Sequence, residues 1–167
     1  MTDSMAADPG TIEDCGFQAG PVTGAAQEIE RGVSRLLHAH GFSSLSELPL
    51  PDGRRADVVG LGRDGRIVIV EIKSGVADFQ SDRKWNDYIA WCDAFYFAVS
   101  ASFPTEIIPD DAGLILADRF AGAFERVAPE RPLVAARRKS MTLRFAKCAA
   151  YRLQALRDPD FAGGAMG

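Results

Sequence analysis

Apolar positions recur along the chain with two periods, and the switches between them set the expected order of elements. From Thr23 or Gly24 to Gly41, the residues Ile29, Val33, Leu36 and Leu37 fall at helical spacing, which predicts an amphipathic helix with one buried stripe. Gly41 stands where a C-terminal helix cap belongs. Glu30 borders the stripe on the side of Val33 and Leu37, and Glu28 lies on the far, solvated side. Phe42 to Leu50 alternates and predicts a strand, with Pro49 and Pro51 marking its end as an edge or a turn. Two apolar runs, Arg55–Leu61 and Arg66–Lys73, flank Asp64-Gly65 and read as a β-hairpin. Asp78 to Cys92 is expected to form one helix on Phe79, Trp85, Tyr88, Ile89 and Cys92, with Trp85 and Tyr88 turned into the core and base-stacking platforms as their alternative role. Ala94 to Ser100 is almost continuously apolar, the mark of a strand buried on both faces. Gly113–Ala117 and Ala123–Val127 predict two short strands. Ser140 or Met141 to about Leu156 predicts a last helix with Leu143, Ala146, Ala150 and Leu153 as its apolar stripe.

Helix, three strands, helix, strand, further strands, helix is the pattern of an α/β domain. Consecutive strands favour an antiparallel meander, and a strand returning after a helix joins the same sheet by a right-handed crossover. The expected result is a mixed central sheet flanked by helices. Residues 24–157 are assigned to this single domain, 1–23 to a flexible N-terminal tail and 158–167 to a flexible C-terminal end.

Composition changes this picture little. Apolar residues make up 47% and charged residues 25%, which indicates an ordinary globular chain and not a disordered one. No stretch approaches the ~20 apolar residues of a membrane span, and the N-terminus has no basic region followed by an apolar run, so a cytoplasmic protein is expected. Cys15, Cys92 and Cys148 are widely spaced, with no CxxC or Cys/His cluster, and are expected to be reduced thiols with no zinc site. His38 and His40 sit near a helix end, where they favour the dipole or plain exposure.

Charge placement is more informative. The net charge of −4 owes much to the N-terminal acids Asp3, Asp8, Glu13 and Asp14. From Arg131 to Arg157 the charged residues are Arg131, Arg137, Arg138, Lys139, Arg144, Lys147, Arg152 and Arg157, with no acid among them. Such a run reads as a face for a polyanion, and binding of this kind releases counterions. The alternative is a solvated basic face that answers acids elsewhere in the chain.

The hairpin carries charge where buried strands should not: Asp57 on the first strand, Glu71 and Lys73 on the second. Side chains alternate along a strand, so Arg55 shares a face with Asp57, and Glu71 with Lys73. If the hairpin joins the strands, both carboxylates converge on one sheet edge. Carboxylate oxygens completed by water suit a hard divalent cation such as Mg²⁺. The alternative is a surface hairpin laced by cross-strand salt bridges.

Asp57, a thirteen-residue spacer and Glu71-Ile72-Lys73 resemble the signature of the PD-(D/E)xK nuclease superfamily, with Ala56 standing where that signature has proline. A closer resemblance covers about Gly24 to Leu156. The segments 53–57, 71–74, 78–85, 92–99 and 135–139 are similar to the MmcB family of bacterial DNA-repair proteins, regarded as endonucleases. The resemblance implies a restriction-endonuclease-like αβββαβ core and metal-dependent hydrolysis of DNA phosphodiesters. Asp57 and Glu71 would bind Mg²⁺ or Mn²⁺, and Lys73 would assist the nucleophile. It also implies an extra metal ligand on the first helix, for which Glu30 is the candidate and Glu47 the weaker one. Asp78, Gln80 and Asp82 would adjoin the site, with capping of a helix start as the other role for Asp82. Arg55, Lys84, Arg137, Arg138, Lys139 and Arg144 would contact phosphate. DNA is the expected partner, and a homodimer or other repair proteins are admitted. Two further readings stay open: a non-catalytic nucleic-acid-binding member of the same fold, and a protein-interaction module.

Overall fold

The computed structural model describes residues 15–16, 24–82 and 84–161. Its elements are α1 (Gly24–Ala39), β1 (Phe42–Pro49), β2 (Arg55–Gly62), β3 (Ile67–Ile72), α2 (Val76–Ser81), a 3-10 helix (Trp85–Trp91), β4 (Ala94–Val99), β5 (Gly113–Ala117), β6 (Gly122–Arg126) and α3 (Ala135–Arg157). Six strands form one sheet in sequence order. β1, β2 and β3 are an antiparallel meander, β4 and β5 run parallel to β3, and β6 returns antiparallel. The chain is thus a mixed α/β sheet with helices on both faces, with the αβββαβ order expected of a restriction-endonuclease-like core.

Two apolar layers sandwich the sheet. On one face α1 buries the stripe Ile29, Val33, Leu36 and Leu37 against Val58, Val68, Val70, Tyr96 and Ile115. On the other face, α3 and the 3-10 helix cover Ile67, Ile69, Phe95, Phe97 and Val99. β3 and β4 are buried at every position, which is why their sequences lack alternation. Trp85 and Tyr88 both stack on Phe95, as core residues should. Gly65, at φ +80°, makes the β2–β3 turn in a conformation that strains a residue with a Cβ.

Several expectations are corrected. The helix expected over Asp78–Cys92 is two pieces, broken at Asp82–Lys84. The Asp82 carboxylate accepts the Lys84 N–H at 3.1 Å, giving the backbone a local partner in place of a helical one. α3 begins at Ala135 and buries Met141, Phe145 and Cys148, whereas Leu143 and Leu153 are 52% and 58% exposed. Its apolar residues wrap most of the helix, so periodicity alone admits either phase. Specific ties decide it: Cys148 forms a disulfide with Cys15, and Arg152 donates to the Cys15, Ser46 and Glu47 carbonyls.

That disulfide, with 5.0 Å between Cα atoms, overturns the expectation of three reduced thiols. Only Cys92 is free, and burial pushes its thiol up to about 12. Of the expected N-terminal tail, Cys15 and Gly16 are described, and Cys15 is buried. The remaining tail residues, and 162–167 of the expected C-terminal end, lie outside the described residues. Asp158, the first residue of that expected end, donates its N–H to the Gln154 carbonyl at 2.9 Å. No described helix is long and apolar enough to cross a membrane.

Candidate active site

The β2–β3 ladder ends at Val58↔Val70, but both strands continue past it. β3 stays with β4 as far as Ile72↔Ala98, and β2 stays with β1 as far as Pro49↔Arg55. The sheet therefore forks, and Asp57 and Glu71 stand opposite each other at the mouth. Their side chains close the fork reciprocally. Asp57 Oδ2 accepts the Ile72 N–H at 2.7 Å, and Glu71 Oε1 accepts the Asp57 N–H at 3.2 Å. Each carboxylate is pinned by a main-chain donor of the other strand.

Burial governs the electrostatics. Glu71 is 4% exposed; desolvation, with the charge of Asp57 added to it, pushes its carboxyl up to about 9. Asp57 is half-buried and rises to about 6, chiefly by desolvation, with Glu47 adding to the rise and the Ile72 N–H opposing it. Two carboxyls that resist ionisation side by side become favourable anions once a cation stands between them. An all-oxygen donor set fits Mg²⁺ or Mn²⁺. Among the described residues no group of three His, Cys, Asp or Glu is placed to hold a metal.

Lys73 continues β3, its N–H donating to the Ala98 carbonyl at 2.9 Å. Its ammonium lies 2.7 Å from Asp82 Oδ2. Burial acts to lower the Lys73 pKa, but the Asp82 bond and the charges of Glu71 and Asp82 outweigh it, so the net shift is upward. For Asp82, burial acts upward and is outweighed by the bonds from Lys73 and the Lys84 N–H, so the net shift is downward. Asp78 accepts the Ser74 N–H at 3.1 Å, which shapes the turn after β3. Gln80 and the Lys84 side chain are exposed. Arg55 Nε lies 3.8 Å from Glu47 Oε2, and the Arg55 carbonyl accepts the Tyr88 hydroxyl at 3.1 Å. Arg55 Nη1 is buried with no hydrogen-bond partner.

The structure thus brings together Asp57, Glu71, Lys73 and Asp82, with Asp78 and Arg55 at the margin. Glu30 lies behind Glu47 in this chain of acids: its Oε1 accepts from Ser46 Oγ and its charge reaches Glu47, whose charge in turn reaches Asp57.

The basic run is only partly available to a polyanion. Both Nη atoms of Arg138 bind the buried carboxylate of Asp93, at 2.7 and 2.6 Å, so this expected phosphate contact is a structural tie. Arg137 donates to the Ala90 carbonyl at 3.2 Å and lies over the Trp91 ring. Arg131 binds the Asp111 carbonyl, and Arg152 binds three carbonyls. Lys139 and Arg144 have no ionic or hydrogen-bonded partner among the described residues. Sequence reasoning missed the structural roles of Asp93 and Arg152. Asp93 announces itself only as a charge beside an apolar strand, and nothing local marks Arg152.

The family profile for DNA repair protein MmcB-like matches residues 15–160. The solved structure of a protein of unknown function from Silicibacter pomeroyi is similar at a TM-score of 0.79 and 46% identity, over 89% of this chain and 98% of that one. The crystal structure of a repair endonuclease from Pyrococcus abyssi aligns at a TM-score of 0.33 and 21% identity, over 52% of this chain and 42% of that one. No curated protein matches the chain.

Proposed function

The chain belongs to the MmcB-like family of DNA repair proteins, and from that premise we propose that it is a divalent-metal-dependent DNA endonuclease of the PD-(D/E)xK kind. The observation that carries this reading is the fork itself: Asp57 and Glu71 clasp each other's strands, with Lys73 two residues beyond Glu71. A salt-bridged surface hairpin would expose these groups, whereas Glu71 and Lys73 are 4% and 6% exposed.

Asp57 and Glu71 would hold Mg²⁺ or Mn²⁺, which when bound lowers the pKa of its water and offsets charge on a phosphate. The residues of the chain do the rest. The Ile72 and Asp57 N–H groups keep both carboxylates aimed into the fork. Asp82 holds the Lys73 ammonium in place, where it would orient the attacking water or donate to a phosphate oxygen. The unpartnered Arg55 Nη1 is suited to a phosphate oxygen or a carboxylate. Lys139 and Arg144 would hold the DNA backbone away from the chemistry.

Purified protein incubated with Mn²⁺ and branched, nicked, single-stranded or damaged DNA tests the reading. Cleavage is expected, and is expected to be lost in Asp57→Ala and Lys73→Ala. One observation favours a second reading, a non-catalytic DNA-binding protein: the Asp82 bond keeps Lys73 an ammonium, which can orient a water but cannot take its proton. DNA binding at low salt without cleavage of any of these substrates would decide for it.

A further inference from the structure

Glu47 is the one non-glycine residue among those described with a positive φ, at +52°. A Cβ crowds the backbone in this region, and such a conformation persists only where the surroundings impose it. No turn or helix end asks for it here. Glu47 lies inside β1, between the pairs Ser46↔Val58 and Leu48↔Ala56, and so stands opposite Asp57.

The imposing group is Arg152. Its Nη2 donates to the Glu47 carbonyl at 2.8 Å, its Nη1 to the Ser46 carbonyl, and its Nε to the Cys15 carbonyl at 2.9 Å. All three guanidinium nitrogens are used on main-chain oxygens, with no carboxylate among them. The Glu47 carboxylate is left to the site, with Oε2 3.8 Å from Arg55 Nε, the side chain 28% exposed and its charge reaching Asp57.

We propose that Glu47 is a positioning residue of the cation site, its carboxylate accepting hydrogen bonds from the water shell of a divalent ion held by Asp57 and Glu71, with Arg152 fixing it there. The proposal rests on the reading of Asp57 and Glu71 as cation ligands. Water links Glu47 to the ion because no three acids of the described chain are placed to bind one directly. Carboxylates that order a metal's outer contacts characteristically change its affinity about 10- to 100-fold.

Isothermal titration of the metal-free full chain with Mn²⁺, alongside its melting temperature, tests this without reference to cleavage. Glu47→Gln and Glu47→Gly are expected to weaken Mn²⁺ binding about tenfold or more. Glu47→Gly is expected to melt at or above the wild-type temperature, because glycine accepts the left-handed backbone without strain. If both variants bind Mn²⁺ as wild type does while Asp57→Asn has lost binding, the cation site stands and the role of Glu47 is refuted. If Glu47→Gly melts well below wild type with binding unchanged, Glu47 is a structural residue only and the proposal is again refuted. If Asp57→Asn binds as wild type does, the cation reading fails, and this proposal with it.

Discussion

Lys73 Nζ lies 2.7 Å from Asp82 Oδ2, with the two side chains 7% and 18% exposed. Because Asp82 Oδ1 also takes the Lys84 N–H, this carboxylate fastens the end of β3 to the break between α2 and the 3-10 helix. Removing one partner of a buried pair leaves a charge without compensation. Lys73→Met is expected to destabilise the fold by about 3 kcal/mol, and adding Asp82→Asn should recover most of that. Urea unfolding of the four proteins measures the coupling. Strictly additive losses would mean that the two side chains act independently.

Stability should depend on pH through the fork. The folded state raises Asp57 to about 6 and Glu71 to about 9, so it holds these protons more tightly than the unfolded chain does. The resulting stability is complete below about pH 4 and is lost as pH rises through the folded values. Asp82 and Asp93 are shifted downward, so their contributions disappear only in more acidic solution. Between pH 5 and 8 the metal-free protein is expected to lose stability steadily as Glu71 is held protonated in the fold but ionises in the unfolded chain. Glu71→Gln, or Mg²⁺ added to the wild type, should flatten the curve. Thermal melts across this range would contradict the assignment if wild type and variant ran parallel.

The basic residues should separate into two groups. Asp93 is 3% exposed and accepts from Ile67 N, Leu133 N and both Nη atoms of Arg138. Arg138→Met is therefore expected to cost about 3 kcal/mol of stability. Lys139→Ala and Arg144→Ala should leave stability within about 0.5 kcal/mol. Each should reduce the salt slope of DNA binding by about one. Fluorescence anisotropy at several salt concentrations, set beside denaturation curves, distinguishes the groups. The reverse pattern would place Arg138 on the phosphate face.

Reduction should weaken the fold. Opening Cys15–Cys148 is expected to cost about 2–5 kcal/mol, seen as a lower denaturation midpoint with reductant present. Rapid alkylation of protein from intact cells, read by mass, should find one free thiol, Cys92. A cytoplasmic, reducing setting favours three, so the count also tests where the protein resides.

The sequence exposes what is local. Asp57, Glu71 and Lys73 stand out because a charge inside an apolar strand contradicts its surroundings, and the element order follows from changes of hydrophobic period. Hidden features depend on partners far along the chain. Arg138 reaches Asp93 across 45 residues and Arg152 reaches Glu47 across 105. Neither pairing leaves a mark near either residue. The break at Asp82 was half legible: capping of a helix start was one open role for that side chain, but an aspartate that takes a single N–H from a helical pattern announces the outcome only weakly. The phase of α3 was ambiguous because apolar residues occupy most of its circumference.

The Cys15–Cys148 bond spans 133 residues and turns most of the domain into a covalent ring. All six strands and α1 lie within that ring, while residues 1–14, the later turns of α3 and the residues after it lie outside. A protease that cuts the turn at 63–65 would linearise the molecule without dividing it. The two sides of the fork would stay on one covalent body, and the nick would appear on a gel only after reduction.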